Sequence, residues 1–141
     1  GEVTAVDVEP IQAFLAVGIT PVITPLGRGE DKKPYNINAD SAAVAIAAAL
    51  QARKLVFLSD VPGLLADPED PASLFSSVKI SEVEGLIKRG VIRGGMLPKI
   101  NGCVDALRAG VRKIHIINAE VQHSLLLELF TDLGVGTEIV T

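Results

Sequence analysis

Leu55-Val56-Phe57-Leu58, followed at once by Ser59-Asp60-Val61-Pro62-Gly63-Leu64, is the stretch whose reading decides the fold. Four consecutive apolar residues predict a strand buried on both faces. Pro62 presets φ at the second position of a turn, and Gly63 accepts positive φ at the third. Asp60 is thereby left just past the carboxyl end of that strand. Immediately upstream, residues 41–53 are dominated by alanine and have strong helix propensity. A helix feeding a buried strand that ends in a turn is the unit of a parallel sheet.

Working outward, the same alternation continues in both directions. Residues 3–6 read as a strand, 10–17 as a helix stopped by Gly18, and 19–26 as a further strand running into the polar loop 27–34. Downstream, residues 67–73 form a loop rich in Pro and Asp. A short amphipathic helix follows over 81–89, with Ser81 and Glu84 in capping-box spacing and Gly90 as its stop. Pro98 starts a helix that runs to Ala109 and ends at Gly110. Residues 113–118 read as a strand, 123–133 as a leucine-rich helix and 136–140 as a closing strand. This pattern predicts an α/β three-layer sandwich with a mostly parallel central sheet, as one domain over residues 1–141. Ligands of such folds bind outside the carboxyl ends of the strands, which directs attention to the loops after Leu26, Leu58 and Asn118.

Composition narrows the function classes. The chain has 141 residues, 13 Lys+Arg against 17 Asp+Glu and a net charge of −4. That balance argues against a nucleic-acid or anionic-membrane surface. The longest apolar run, residues 42–50, has nine members, short of the roughly 20 that span a bilayer. One cysteine, Cys103, excludes an internal disulfide framework and fits a reducing compartment. With Glu2, Asp7 and Glu9 interrupting any secretory signal, the expected setting is cytoplasmic. No Walker-type P-loop occurs, and Gly27-Arg28-Gly29 lacks the third glycine of a dinucleotide fingerprint. His115 and His123 have no cysteine partner at zinc-ligand spacing, so no metal centre is expected. Cys103, inside a helix, reads as a small core residue rather than a nucleophile.

Three constellations carry candidate chemistry. In Asn36-Ile37-Asn38-Ala39-Asp40 an extended backbone would put residues 36, 38 and 40 on one side, lining an edge with two amides and a carboxylate. The bland alternative, that Asn38 or Asp40 caps the following helix, accounts for one of the three. In the opening stretch, Asp60 could reach a ribose hydroxyl while the turn approaches a base or phosphate; a plain strand-to-turn transition explains it equally well. In Arg93-Gly94-Gly95-Met96-Leu97-Pro98-Lys99, two glycines permit close backbone approach to a ligand. Lys99 then falls in the first helical turn, where a cation opposes the helix dipole by roughly 0.3–1 kcal/mol. An anion bound there reverses the sign, since amide dipoles and ammonium then act together. A solvated lysine after a glycine loop is the alternative.

At these constellations the sequence resembles the carboxyl-terminal half of the N-acetylglutamate kinases, within the amino acid kinase family. The matching strings are Pro21-Val22-Ile23-Thr24-Pro25-Leu26-Gly27, Tyr35-Asn36-Ile37-Asn38-Ala39-Asp40, Leu58-Ser59-Asp60-Val61-Pro62-Gly63-Leu64 and Gly94-Gly95-Met96-Leu97-Pro98-Lys99. The tail adds His115-Ile116-Ile117-Asn118, His123-Ser124-Leu125-Leu126-Leu127-Glu128-Leu129-Phe130 and Gly134-Val135-Gly136-Thr137. The resemblance implies ATP-dependent phosphorylation of the side-chain carboxylate of N-acetyl-L-glutamate, with Mg2+ carried by the nucleotide. It implies that Asn36 and Asn38 bind the acylamino acid, that Asp40 orients catalytic lysines and that Lys99 stabilises the transferring phosphoryl group. Asp60, Gly63, Leu64, Gly95 and Met96 would form the nucleotide site. In the arginine-inhibited branch, positions matching His115, Glu128 and Gly134 contribute to an L-arginine effector site. Where many members follow the His-Ile-Ile strand with Asn or Asp, then Gly, then Arg or Gly, this chain has Asn118-Ala119-Glu120.

The family's glycine-rich phosphate loop, second catalytic lysine and substrate-clamping arginine find no match here. The resemblance therefore implies a missing amino-terminal half, inactivity of the isolated chain and a homo-oligomer when the protein is complete. A stand-alone nucleotide or arginine-binding module, and a sibling kinase with another acyl-amino acid or carboxylate acceptor, are the competing readings.

Overall fold

The computed structural model describes residues 1–131 and 134–141. Its elements are α1 (Glu9–Ala16), β1 (Leu26–Arg28), β2 (Pro34–Asn36), α2 (Ala39–Ala49), β3 (Lys54–Ser59), β4 (Ser77–Lys79), α3 (Ile80–Lys88), α4 (Met96–Arg108), β5 (Lys113–Asn118), α5 (Ser124–Phe130) and β6 (Gly136–Val140). A single 3-10 turn, Pro71–Ser73, interrupts the loop before β4. The main sheet has the order β3-β5-β6-β4, and β1 and β2 form a separate hairpin.

The pattern of apolar residues explains which face is buried. Ile114 and Ile116 on β5, Ile139 on β6, Phe57 on β3 and Val78 on β4 point to one side of the sheet, where α2, α3 and α4 cover them. Ile100, Cys103, Ala106 and Leu107 of α4 recur at helical spacing and are almost fully enclosed. His115 lies between Ile114 and Ile116 and so projects to the opposite face, where Glu128 of α5 meets it. The α/β layering therefore agrees with the sequence, as do β3, β5, β6 and the helix over residues 9–16, while the helix expected over 41–53 spans Ala39–Ala49.

Several details differ for identifiable reasons. β3 and β5 are parallel, and so are β4 and β6, but β5 and β6 run antiparallel. The seven residues of α5 rise about 10 Å, too little to return the chain along a six-residue strand of about 20 Å. β6 accordingly begins beside the carboxyl end of β5, with Gly136 opposite Ile117. Residues 3–6 and most of 19–26 are not strands. Their alternation is strand-like, yet a strand exists only as a ladder, and these segments have no ladder partner among the described residues. Leu58 is exposed because β3 is an edge strand, not one covered on both faces. The helix predicted from Ser81 starts at Ile80, and Glu82 rather than Glu84 accepts the Lys79 amide at 2.8 Å. The helix predicted from Pro98 starts two residues earlier, at Met96. β4 has no sequence signature, since three residues are too few to show a period. The last helix ends at Phe130; its predicted end at Leu133 lies outside the described residues.

Candidate active-site cleft

The cleft forms where two helix starts converge beside β3. Asn38 is the N-cap of α2: its Oδ1 accepts from the Ser41 amide at 3.1 Å and faces the Ser41 hydroxyl at 3.4 Å. Asp40 sits one residue inside the helix, where a carboxylate is favoured by the dipole. The predicted single extended edge is thus replaced by a strand, a cap and a helical turn. Asn36 stays on the hairpin, opposite Leu26, and does not line the cleft.

Lys99 enters from α4. Its ammonium donates to Asp40 Oδ2 at 2.7 Å, with side-chain exposures of 16 % and 44 % respectively. This pair resolves the conflict posed by a cation in the first turn of a helix, because Asp40 supplies the opposing charge from a neighbouring helix start. The α4 start has no side-chain cap; Gly94 takes φ +55° and a Cβ on Gly95 would meet nothing within 4 Å. Asn38, Asp40, Phe57, Gly95, Lys99 and Asp105 are among the residues lining a cleft of about 460 Å³. Lys99 Nζ also lies over the Phe57 ring, 4.8 Å from its centroid. One turn further along α4, burial pushes the Cys103 thiol up to about 12, with the Lys99 charge pulling the other way. Cys103 is thus an inert core thiol.

Asp60 lies exposed beyond β3, and the Ser59 hydroxyl donates to it at 3.2 Å. Gly63 has φ +145°, and a Cβ there would stand 2.5 Å from Thr137 Oγ1. Leu64 is almost fully buried; its amide donates to Thr137 Oγ1 at 2.8 Å and its carbonyl accepts from Phe75 at 2.9 Å. Gly63 and Leu64 therefore fix the turn that carries Asp60, and neither lines the cleft. Met96 packs against the core at the start of α4.

On the opposite face His115 Nδ1 and Glu128 Oε1 are 2.6 Å apart, and Glu128 Oε2 accepts from the Val135 amide at 2.7 Å. Both side chains are almost fully enclosed, and His115 Nε2 has no partner among the described residues. Gly134 is exposed with φ +46°. The structure thus joins Asn38, Asp40, Gly95 and Lys99 in one place and His115 with Glu128 in another. Sequence reasoning missed Phe57, Asp105 and Thr137. In the sequence Phe57 reads as one more residue of the apolar strand, and only the placement of Lys99 gives its ring a second task. Among the described residues no group of three or more His, Cys, Asp or Glu could hold a metal ion, and no helix is long and apolar enough to cross a membrane.

Comparison with known proteins agrees with this architecture. An acetylglutamate kinase of Symbiobacterium thermophilum is 54 % identical over 99 % of this chain and 48 % of its own length. One from Syntrophomonas wolfei is 52 % identical over 99 % of this chain and 49 % of its own. The alignments fall on the carboxyl-terminal half of these enzymes, so the chain spans about half the length of the curated relatives it matches. Among solved structures, N-acetylglutamate synthase from Neisseria gonorrhoeae, complexed with coenzyme A and L-arginine, superposes with a TM-score of 0.85 at 31 % identity. That match covers 95 % of this chain and 30 % of the other. The sequence model described as "Amino acid kinase family" matches residues 1–118, and with a buried sheet and a Lys99–Asp40 cleft in place, this chain belongs to the amino acid kinase family.

Proposed function

We propose that this chain is the nucleotide-binding half of an enzyme that phosphorylates the side-chain carboxylate of N-acetyl-L-glutamate with MgATP, yielding an acyl phosphate for arginine biosynthesis. The observation that carries the reading is the Asp40–Lys99 pair, 2.7 Å apart at the junction of two helix starts. Phosphoryl transfer needs positioned positive charge more than covalent chemistry. Lys99 presents an ammonium with three N–H donors, and Asp40 occupies one of them. Asp40 holds the side chain in the cleft until phosphoryl oxygens arrive, and the ammonium can then turn its donors from the carboxylate to the anion. Gly95 offers a surface with no side chain above it, suited to close approach of a phosphate chain. Met96, packed against the core next to Gly95, would border the nucleotide, and Asp60, exposed beyond β3, would take a ribose hydroxyl. Asn38 keeps its NH₂ group for the acylamino acid, since only its oxygen is spent on capping; Asn36 contributes from the hairpin. Mg2+ would come as part of the MgATP substrate and offset phosphate charge.

The identity of about 50 % to acetylglutamate kinases supports N-acetylglutamate over another acyl-amino acid or carboxylate as acceptor. The half-length match supports completion by an amino-terminal half, and the family supports a cytoplasmic homo-oligomer in the complete protein. Coupled ADP release with N-acetylglutamate tests this reading. The isolated chain should not turn over, and adding the matching amino-terminal half of a relative should produce turnover. Robust turnover by the isolated chain would refute the half-enzyme reading.

A second, effector reading rests on the buried His115–Glu128 contact. Both Glu128 oxygens are already engaged, by His115 and by the Val135 amide. An L-arginine guanidinium would bind this carboxylate by displacing one of them, next to Gly134. Calorimetry with L-arginine and with ATP separates this reading from a stand-alone module, which would bind arginine and no nucleotide.

A further inference from the structure

Lys99 is held from two sides, and only one of its partners carries charge. Asp40 takes the ammonium by a hydrogen bond; the Phe57 ring lies beneath it at 4.8 Å. Phe57 is 5 % exposed, sits in β3 and is laddered against Ile116 of β5, so backbone pairing and the core fix the ring's position. The π-face of an aromatic ring attracts a cation, and it does so without claiming a particular N–H. That distinction matters when an anion enters the cleft. Phosphate oxygens compete with the Asp40 carboxylate for the same N–H donors, whereas the ring stays attractive whichever oxygen holds the ammonium. An aliphatic residue of similar size would seal the core equally well and supply none of this attraction.

We propose that Phe57 is a positioning residue for Lys99, its ring retaining the ammonium in the cleft while Asp40 and an incoming phosphoryl group exchange as hydrogen-bond partners. This rests on the reading of Lys99 as the phosphoryl-facing cation. The contact predicts two separable observables. The ε-methylene of Lys99 should feel the ring current and resonate upfield of the other lysines. Nucleotide affinity should follow the strength of the ring's negative face.

The test uses the chain with carbon-13-labelled lysine side chains, in wild type and Phe57→Leu, together with a series in which the Phe57 ring carries one, two or five fluorines. Fluorination drains and then reverses the negative face at nearly constant shape, so a residue that serves packing alone gives no graded response. We expect the upfield Lys99 signal in wild type and its return to the ordinary lysine position in Phe57→Leu. We expect the Kd for ATP, by calorimetry, to rise progressively with fluorine number by about 2- to 30-fold in total. A wild-type Lys99 signal at the ordinary lysine position, a signal unchanged by loss of the ring, or an ATP Kd flat across the series would each overturn the proposal. If the wild-type chain binds no ATP, the phosphoryl-facing reading of Lys99 fails on its own, and the lysine spectrum still decides whether the ring holds the ammonium.

Discussion

Replacing Thr137 by valine tests how the Asp60 turn is built. Thr137 is fully buried on β6, and its hydroxyl is the acceptor for the Leu64 amide at 2.8 Å. Valine has nearly the same shape, so the change opens no cavity and isolates the hydrogen bond. The Leu64 amide would be left buried without an acceptor, at about 1–3 kcal/mol. Exchanging a hydroxyl for a methyl in an apolar site returns about 0.8 kcal/mol, giving a net loss of about 0.2–2 kcal/mol. For a chain of 141 residues this lowers the melting temperature by about 1–8 °C. Urea unfolding followed by circular dichroism measures the stability change, and amide hydrogen exchange at Leu64 locates it. Thr137→Ser keeps the acceptor and should retain slow exchange at Leu64 while losing about 1 kcal/mol of packing. A Thr137→Val chain as stable as wild type, with Leu64 still protected, would refute this construction of the turn.

Three further outcomes are expected. The Cys103 thiol, pushed up to about 12 by burial, should not react with Ellman's reagent at about pH 8 in the folded chain and should react at once in denaturant. The Lys113 ammonium, hydrogen-bonded to Glu138, holds that carboxyl below its usual value of 4.5, against a smaller upward push from burial. A depressed folded value means stability that is present above pH 4.5 and lost as pH falls through the folded value. Glu138→Gln should therefore flatten the acid limb of stability measured by urea titration at stepped pH. Gly136→Ala would place a Cβ 2.2 Å from the Ile116 carbonyl oxygen, a backbone atom of the neighbouring strand. The β5–β6 ladder must open to admit it, so a loss of about 3 kcal/mol or more is expected by denaturant unfolding.

The particular elements show what the sequence could and could not carry. β5 and β6 matched to the residue because an uninterrupted Lys113–Asn118 run between a glycine stop and a polar loop has only one local reading. The antiparallel entry of β6 was not legible, since it depends on the short rise of α5 and not on any motif. Residues 3–6 and 19–25 have strand-like alternation, and whether they pair depends on neighbours the local pattern does not contain. The site divides the same way. Gly95, Lys99 and Asp40 are legible by residue type and spacing, yet the meeting of Lys99 with Asp40 at 2.7 Å depends on how α2 and α4 pack. Asn38 was legible as a cap. Phe57 and Thr137 were not legible as anything beyond core, because each acquires its second role from a residue far away in sequence.

The central claim is that Lys99, poised by Asp40, gives this chain its nucleotide side. Calorimetric titration of ATP into the wild-type chain and Lys99→Met tests it most directly. A charge-assisted contact to a phosphate contributes about 1.5–3 kcal/mol, so the account predicts measurable binding by wild type and a loss of about 10- to 100-fold in Lys99→Met. Equal ATP affinity in the two chains, or no binding by wild type, would contradict it.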